Sequence, residues 1–302
     1  MRRLNVLLFI GFCFTFLFEL NAQVEGANSR SLSEEFKSFW YNGEAEISSF
    51  HLEQARYGEI HQGTAVLIYV TEPFSPIGQV KADKPTDKDI SVLKLNFTKK
   101  FTTGIYPYSM MTSSFLPLNE KSHLIKLTSS SQEWCGHTFM QLNNRENYEL
   151  TTFSYFQSEG DKNLQLKNDL LEDEIWNLIR ISPNEIPTGR VAIIPSFFYL
   201  RLSHNEIKSY EATIHREVNN SGDGVVVILY PQLNRKLKII YKKNFPFDIL
   251  SWEETYRSGW GSSAQILTTK ATRIKTLKLD YWNKNSVLDA KLRESLGLPA
   301  AQ

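Results

Sequence analysis

The chain is short of the covalent and electrostatic features that would give its function away. Of 302 residues only two are cysteine, Cys13 and Cys135. Cys13 lies in an N-terminal segment expected to be removed, so no intrachain disulfide is available and an exported form must be held by a packed core. Charge of one sign is also missing: 34 Lys and Arg stand against 33 Asp and Glu. A balanced chain gives nucleic acid or an anionic membrane no electrostatic hold. No HxH or HExxH pair supplies metal ligands, and GWGSS at 259–263 lacks the second glycine of a nucleophile elbow. No repeat with a period of 20–50 residues is visible. The chain does have aromatics, at 13% with 19 Phe and 13 Tyr, which suits broad β-sheet faces.

The N-terminus, MRRLNVLLFIGFCFTFLFELNAQ, reads as a secretory signal peptide. Arg2 and Arg3 form a basic start, Val6 to Phe18 an apolar run, and Ala22 a small residue before the cut, giving a signal over 1–22. The run is shorter than the ~20 residues of a spanning helix. Phe12 before Cys13 does not fit a lipid-attachment site. Removal takes two arginines and one glutamate and leaves a formally neutral chain with no membrane span, periplasmic or extracellular.

Residues 23–33 read as a polar, disordered linker and 34–297 as a β-rich domain. That domain is either one unit or two strand blocks, 34–160 and 189–280, around a helix. In VLKLNFTKK, Val92, Lys94 and Asn96 alternate with Leu93, Leu95 and Phe97, the period of a half-buried strand. Similar strands are expected at 104–116, 122–130, 132–142 and 147–157. LQLKNDLLEDEIWNLIR predicts a helix over 164–180, with Leu171, Ile175, Leu178 and Ile179 inward and its acids toward solvent. A short helix is expected at 286–296. Strands joined by tight turns with few helices predict a mainly β fold: a curved antiparallel sheet or open barrel, one helix covering it.

Four clusters look chemical. In QEWCGHTFMQL a continuous strand would place Glu133, Cys135 and His137 on one face. Three readings stand for them: a buried small thiol beside a wall histidine, a nucleophilic pair, or part of a metal site needing His51, His61 or His123. In SWEETYRSGWGSS, Trp252 and Glu253 resemble a sugar-stacking site, yet adjacent Glu253 and Glu254 point to opposite faces and cannot act as a carboxylate pair. In QARYGEIHQG, Arg56 and Tyr57 sit at a hairpin with an expected Arg–Glu ion pair. Lys270, Arg273, Lys275 and Lys278 predict a solvated face protecting a sheet edge.

Across YNGEAEISSFHLEQARYGEIHQGTAVLIYVTE, SSQEWCGHTFMQLNN, FPFDILSWEETY and LTTKATRIKTLKLDYW, the chain resembles a family of exported bacterial proteins often labelled "septum formation inhibitor Maf". The resemblance spans nearly the whole mature chain and implies export and a shared fold. Maf nucleotide pyrophosphatases open with a strand and a Ser-Pro-Arg-Arg type phosphate loop, and no such loop occurs here. Two functions follow as expectations, with a Maf-type nucleotide pyrophosphatase a disfavoured third. One is non-catalytic binding of an apolar or lipid-like ligand, or of an envelope protein, in the sheet's concavity. The other is an envelope-acting hydrolase or transferase using Cys135 and His137 or Glu253. No catalytic residue, metal or cofactor is assigned.

Overall fold

The computed structural model describes residues 29–299; the expected signal peptide lies outside them. The strands are β1 (Ala45–Arg56), β2 (Glu59–Ser75), β3 (Val80–Lys81), β4 (Ile90–Thr103), β5 (Tyr106–Pro117), β6 (Lys126–Glu133), β7 (Gly136–Asn144) and β8 (Tyr148–Ser154). They continue as β9 (Lys162–Leu166), β10 (Leu170–Leu171), β11 (Gly189–Ile194), β12 (Tyr210–Val218), β13 (Gly224–Tyr230), β14 (Arg235–Tyr241), β15 (Ile249–Ser258) and β16 (Gln265–Leu279). The helices are α1 (Glu34–Trp40), α2 (Glu172–Ile181), α3 (Phe197–Ser203) and α4 (Lys291–Ser295).

All sixteen strands belong to one curved sheet. Chain neighbours are sheet neighbours from β1 to β9, with β3 a spur on β2, and again from β10 to β16. Antiparallel pairing of β16 with β1, Ala45 opposite Leu279, joins the two halves. The order is therefore the chain order read in a circle, interrupted once, between β9 and β10. There the chain is continuous but the hydrogen-bond ladder is not. The fold is mainly β, an open barrel with a seam.

The alternation read in β4 sets the inside. Leu93, Leu95, Phe97 and Phe101 are buried, while Lys94, Asn96 and Lys100 point outward and are half-buried or exposed. What fills the barrel is its own chain. Every residue of α2 is buried. Trp176 packs edge-on against Phe97 and Trp252, and Phe50 closes on Trp252 with ring centroids 4.8 Å apart. Asn177 donates to the Leu93 carbonyl at 2.8 Å and accepts from Ser114 at 2.7 Å.

The helix expected over 164–180 starts at Glu172; its first part is strand β9 and the short β10. Its acids do not meet solvent. Glu172, Asp173 and Glu174 are buried, and each holds a different element: Glu172 takes Arg235 and the Tyr230 hydroxyl, Asp173 takes Ser196 Oγ and the Phe197 amide, and Glu174 takes His123 and the Leu124 amide. Acids at a helix start are also favoured by its dipole. At the other end Arg180 pairs with Glu46 and lies over Trp40 and Tyr69.

Three other expectations are corrected. The linker expected over 23–33 is, from Ser29, docked: Ser29 bridges Glu120, and buried Arg30 holds Glu185 at 2.9 Å. The 189–280 strand block contains α3, capped by the Ser196 hydroxyl. The Lys270–Lys278 stretch protects no edge, because β16 sits between β15 and β1; Arg273 pairs with Asp248 at 3.1 Å and Lys278 lies over Phe39 at 3.9 Å.

Candidate functional site

At the free edge of β9, on its side of the seam, lies a cleft of about 540 Å³, within the ~300–1,000 Å³ range of small-molecule sites. One wall is the end of the first half of the sheet: Met140 on β7, Thr152 on β8, and Leu164 and Leu166 on β9. Leu164 and Leu166 are half-buried because β9 has a ladder partner on one side only, β8. The facing wall is α3, with Leu200, Arg201 and His204, and the loop after it, with Ile207. His204, at φ +58° in the left-handed region, ends α3 and turns the chain along the cleft's lip.

Glu159, in the β8–β9 loop, binds this lip to α3. His204 Nδ1 lies 2.6 Å from it, and the Ser154 hydroxyl donates to it at 2.6 Å. The His204 hydrogen bond holds its carboxyl down at about 2. Arg201 is the charged group sunk deepest in the wall, 5% exposed. Its guanidinium lies 4.8 Å over the Phe156 ring. Glu133 and Glu159 each come within 3.8 Å of it, past hydrogen-bond reach. Arg201 Nε and Nη1 consequently have no acceptor.

The candidates from the sequence fall in different places. Glu133, Cys135 and His137 do not share one strand. Trp134 and Cys135 form the turn between β6 and β7, with Glu133 opposite Gly136. Cys135 is exposed rather than buried, and its neighbour is a carboxylate, not an imidazole. Glu133 accepts from the Cys135 amide at 2.6 Å, and its hydrogen bond and charge push the thiol pKa up. His137 faces solvent. Glu133 alone reaches the cleft region, through Arg201.

Trp252 is core, 1% exposed, and Glu253 on the outer face lies 3.9 Å from Lys238. The inward acid is Glu254, which takes Arg235 at 2.7 Å. Arg56 forms no hairpin ion pair. Its guanidinium lies 4.2 Å over Tyr57 and 5.3 Å from the Trp260 ring and donates to the Leu202 carbonyl, pinning the end of α3 to the barrel. Tyr57 continues this cluster to Tyr108 at 2.6 Å. His51 is on the outer face, His61 contacts the Arg56 carbonyl, and His123 serves Glu174, so these histidines do not converge with Cys135.

Sequence reasoning missed Arg201, buried inside an apolar FFYLRL run without a motif. It also missed Lys99, an inward lysine on β4 whose ammonium is pulled down by burial and lies 5.1 Å from the Phe198 ring. Lys99, Arg235, Glu254 and Glu172 surround a void of about 10 Å³. That is space for about one water, not for a substrate.

No protein-family model and no curated protein matches the chain. Two solved structures align with much of its length. One is a β-barrel-like protein of domain of unknown function DUF1849 from Brucella abortus, 7% identical, with 78% of this chain and 98% of that one covered and a TM-score of 0.43. The other is a porin-like protein from Bacteroides uniformis, 9% identical, with 77% and 95% covered and a TM-score of 0.24. Neither likeness is close enough to assign a ligand or an activity.

Proposed function

We propose that this chain is an exported, non-catalytic binding protein for an apolar or lipid-like ligand, held in the cleft at the seam. The observation that carries the reading is the cleft itself: about 540 Å³ of space, with Met140, Leu164, Leu166, Leu200 and Ile207 among its walls. The barrel's concavity is not the site, because α2 occupies it. The sequence-derived catalytic candidates also do not assemble there. Export rests on the basic-then-apolar N-terminus and on the resemblance to exported proteins; the mature chain is expected to begin near Gln23, which mass spectrometry of the exported protein checks.

The binding reading is tested with Nile red, an uncharged apolar dye. Emission should rise and shift to the blue on binding, and Leu164→Trp, which fills the cleft from its exposed edge strand, should weaken binding at least about tenfold, the loss of roughly 1.4 kcal/mol. Equal binding by the filled variant would place the dye elsewhere and remove the support for this cleft.

A further inference from the structure

We propose that Arg201 receives an anionic, oxygen-bearing head of an amphiphile whose chain lies along Met140, Leu164 and Leu166, which rests on the cleft being the ligand site. The argument is one of unspent hydrogen-bonding capacity. A buried donor without an acceptor is costly, and a charged one more so. The protein leaves two such donors, Nε and Nη1, on a guanidinium in the cleft wall. They are not left for want of nearby carboxylates, since two lie 3.8 Å away. Glu159 is engaged closer at hand by His204 and Ser154, and Glu133 through Oε2 by the Cys135 amide, with its Oε1 left 3.8 Å from Arg201 Nη2.

The remaining charges at the cleft point the same way. Glu206 is taken by Lys208 at 2.5 Å. Lys162 lines the mouth, exposed, with no ion pair among the described residues. Lys208 and His204 are paired with Glu206 and Glu159 in turn, so the donors left over at the cleft are those of Arg201 and Lys162. An ammonium head would find its partners occupied; a carboxylate or phosphate head that reached Arg201 would supply the acceptors that its sealed Nε and Nη1 lack. The guanidinium's planar fork accepts either oxyanion in a bidentate geometry. Leu164 and Leu166, two residues apart on one face of β9, continue from this head site as an apolar track.

The test displaces Nile red from the intact mature protein with four twelve-carbon compounds below their micelle concentrations: dodecanoate, dodecyl phosphate, dodecanol and dodecylammonium. The anions should compete about tenfold or more better than dodecanol, the size of one charge-assisted hydrogen bond, with dodecylammonium weakest. Which anion leads distinguishes a fatty-acid head from a phosphate head. Arg201→Met should bring the anions and dodecanol to within about threefold of one another.

The wild-type series decides the matter even if Arg201→Met does not fold, and Arg201→Lys, which keeps the charge but loses the fork, should retain part of the preference. Dodecanol equal to the anions, or dodecylammonium tightest, overturns the head assignment and leaves the cleft reading intact. If no twelve-carbon compound displaces the dye, the cleft reading itself fails and the head assignment falls with it.

Discussion

A thiol beside a carboxylate behaves differently from a thiol beside an imidazole. Glu133 is nearly sealed from solvent, with its side chain 2% exposed, and its charge opposes the Cys135 thiolate that would act as nucleophile. Ellman's reagent should therefore label Cys135 at pH 7 more slowly than free cysteine does, and Glu133→Gln should speed it. Cys135→Ser should leave Nile red binding unchanged. Rapid labelling of the native protein would contradict this. Single residues were legible in the sequence where strand parity was enough. Glu253 and Glu254 had to face opposite ways, and a core Trp252 makes Glu254 the inward one. Parity failed at Cys135, because a two-residue turn resets the alternation. Arg201 was invisible because its setting depends on Phe156 and Glu159, some forty residues earlier.

At the scale of elements, α2 behaves as an internal post whose titration is set by what it touches. Burial, then the neighbouring charge of Glu172, raises Asp173 from 3.8 to about 7, against the opposing pull of its two hydrogen bonds and Arg235. Lys99 is the other cation in this nest. The folded chain then holds a proton between about pH 4 and 7 that the unfolded chain has released, so this group's contribution to stability falls as pH rises through that window. His123, raised by its hydrogen bond to Glu174, works in the same direction at higher pH: its contribution is full below 6.5 and lost as pH rises through the raised folded value. Urea midpoints measured from pH 4.5 to 8 should decline with pH, and Asp173→Asn should flatten the part below 7. A midpoint rising across that range in both proteins would refute the assignment. The apolar period of α2 was legible, and its acids were misplaced. Nothing in a local window shows that Arg235, His123 and Ser196 come from distant elements to meet them. The start was misread because LQLKNDLL fits the strand period as well as the helical one.

For the whole molecule, the circular strand order makes the β1–β16 ladder the step that joins the halves, pairing residues such as Phe50 and Arg273 across most of the chain. A chain stopped after Ser258 would leave β1 and β15 as open edges and uncover Trp252 and Phe50. It should lose cooperative unfolding by circular dichroism and aggregate, while deletion after Pro299 should change neither. The mainly β class and the open barrel were legible from alternation and turn spacing. The place of the seam was not, since pairing between chain ends leaves no mark on either end. The inward-facing core also sets this barrel apart from a pore. A barrel that passes ions or solutes across a bilayer needs a wet interior and an apolar band outside. Here Phe97, Trp176 and Trp252 occupy the axis, and Lys94, Lys100, Lys236 and Lys238 stand on the outside. A buried helix packed against the inner face and lysines on the outer face are the reverse of that pattern.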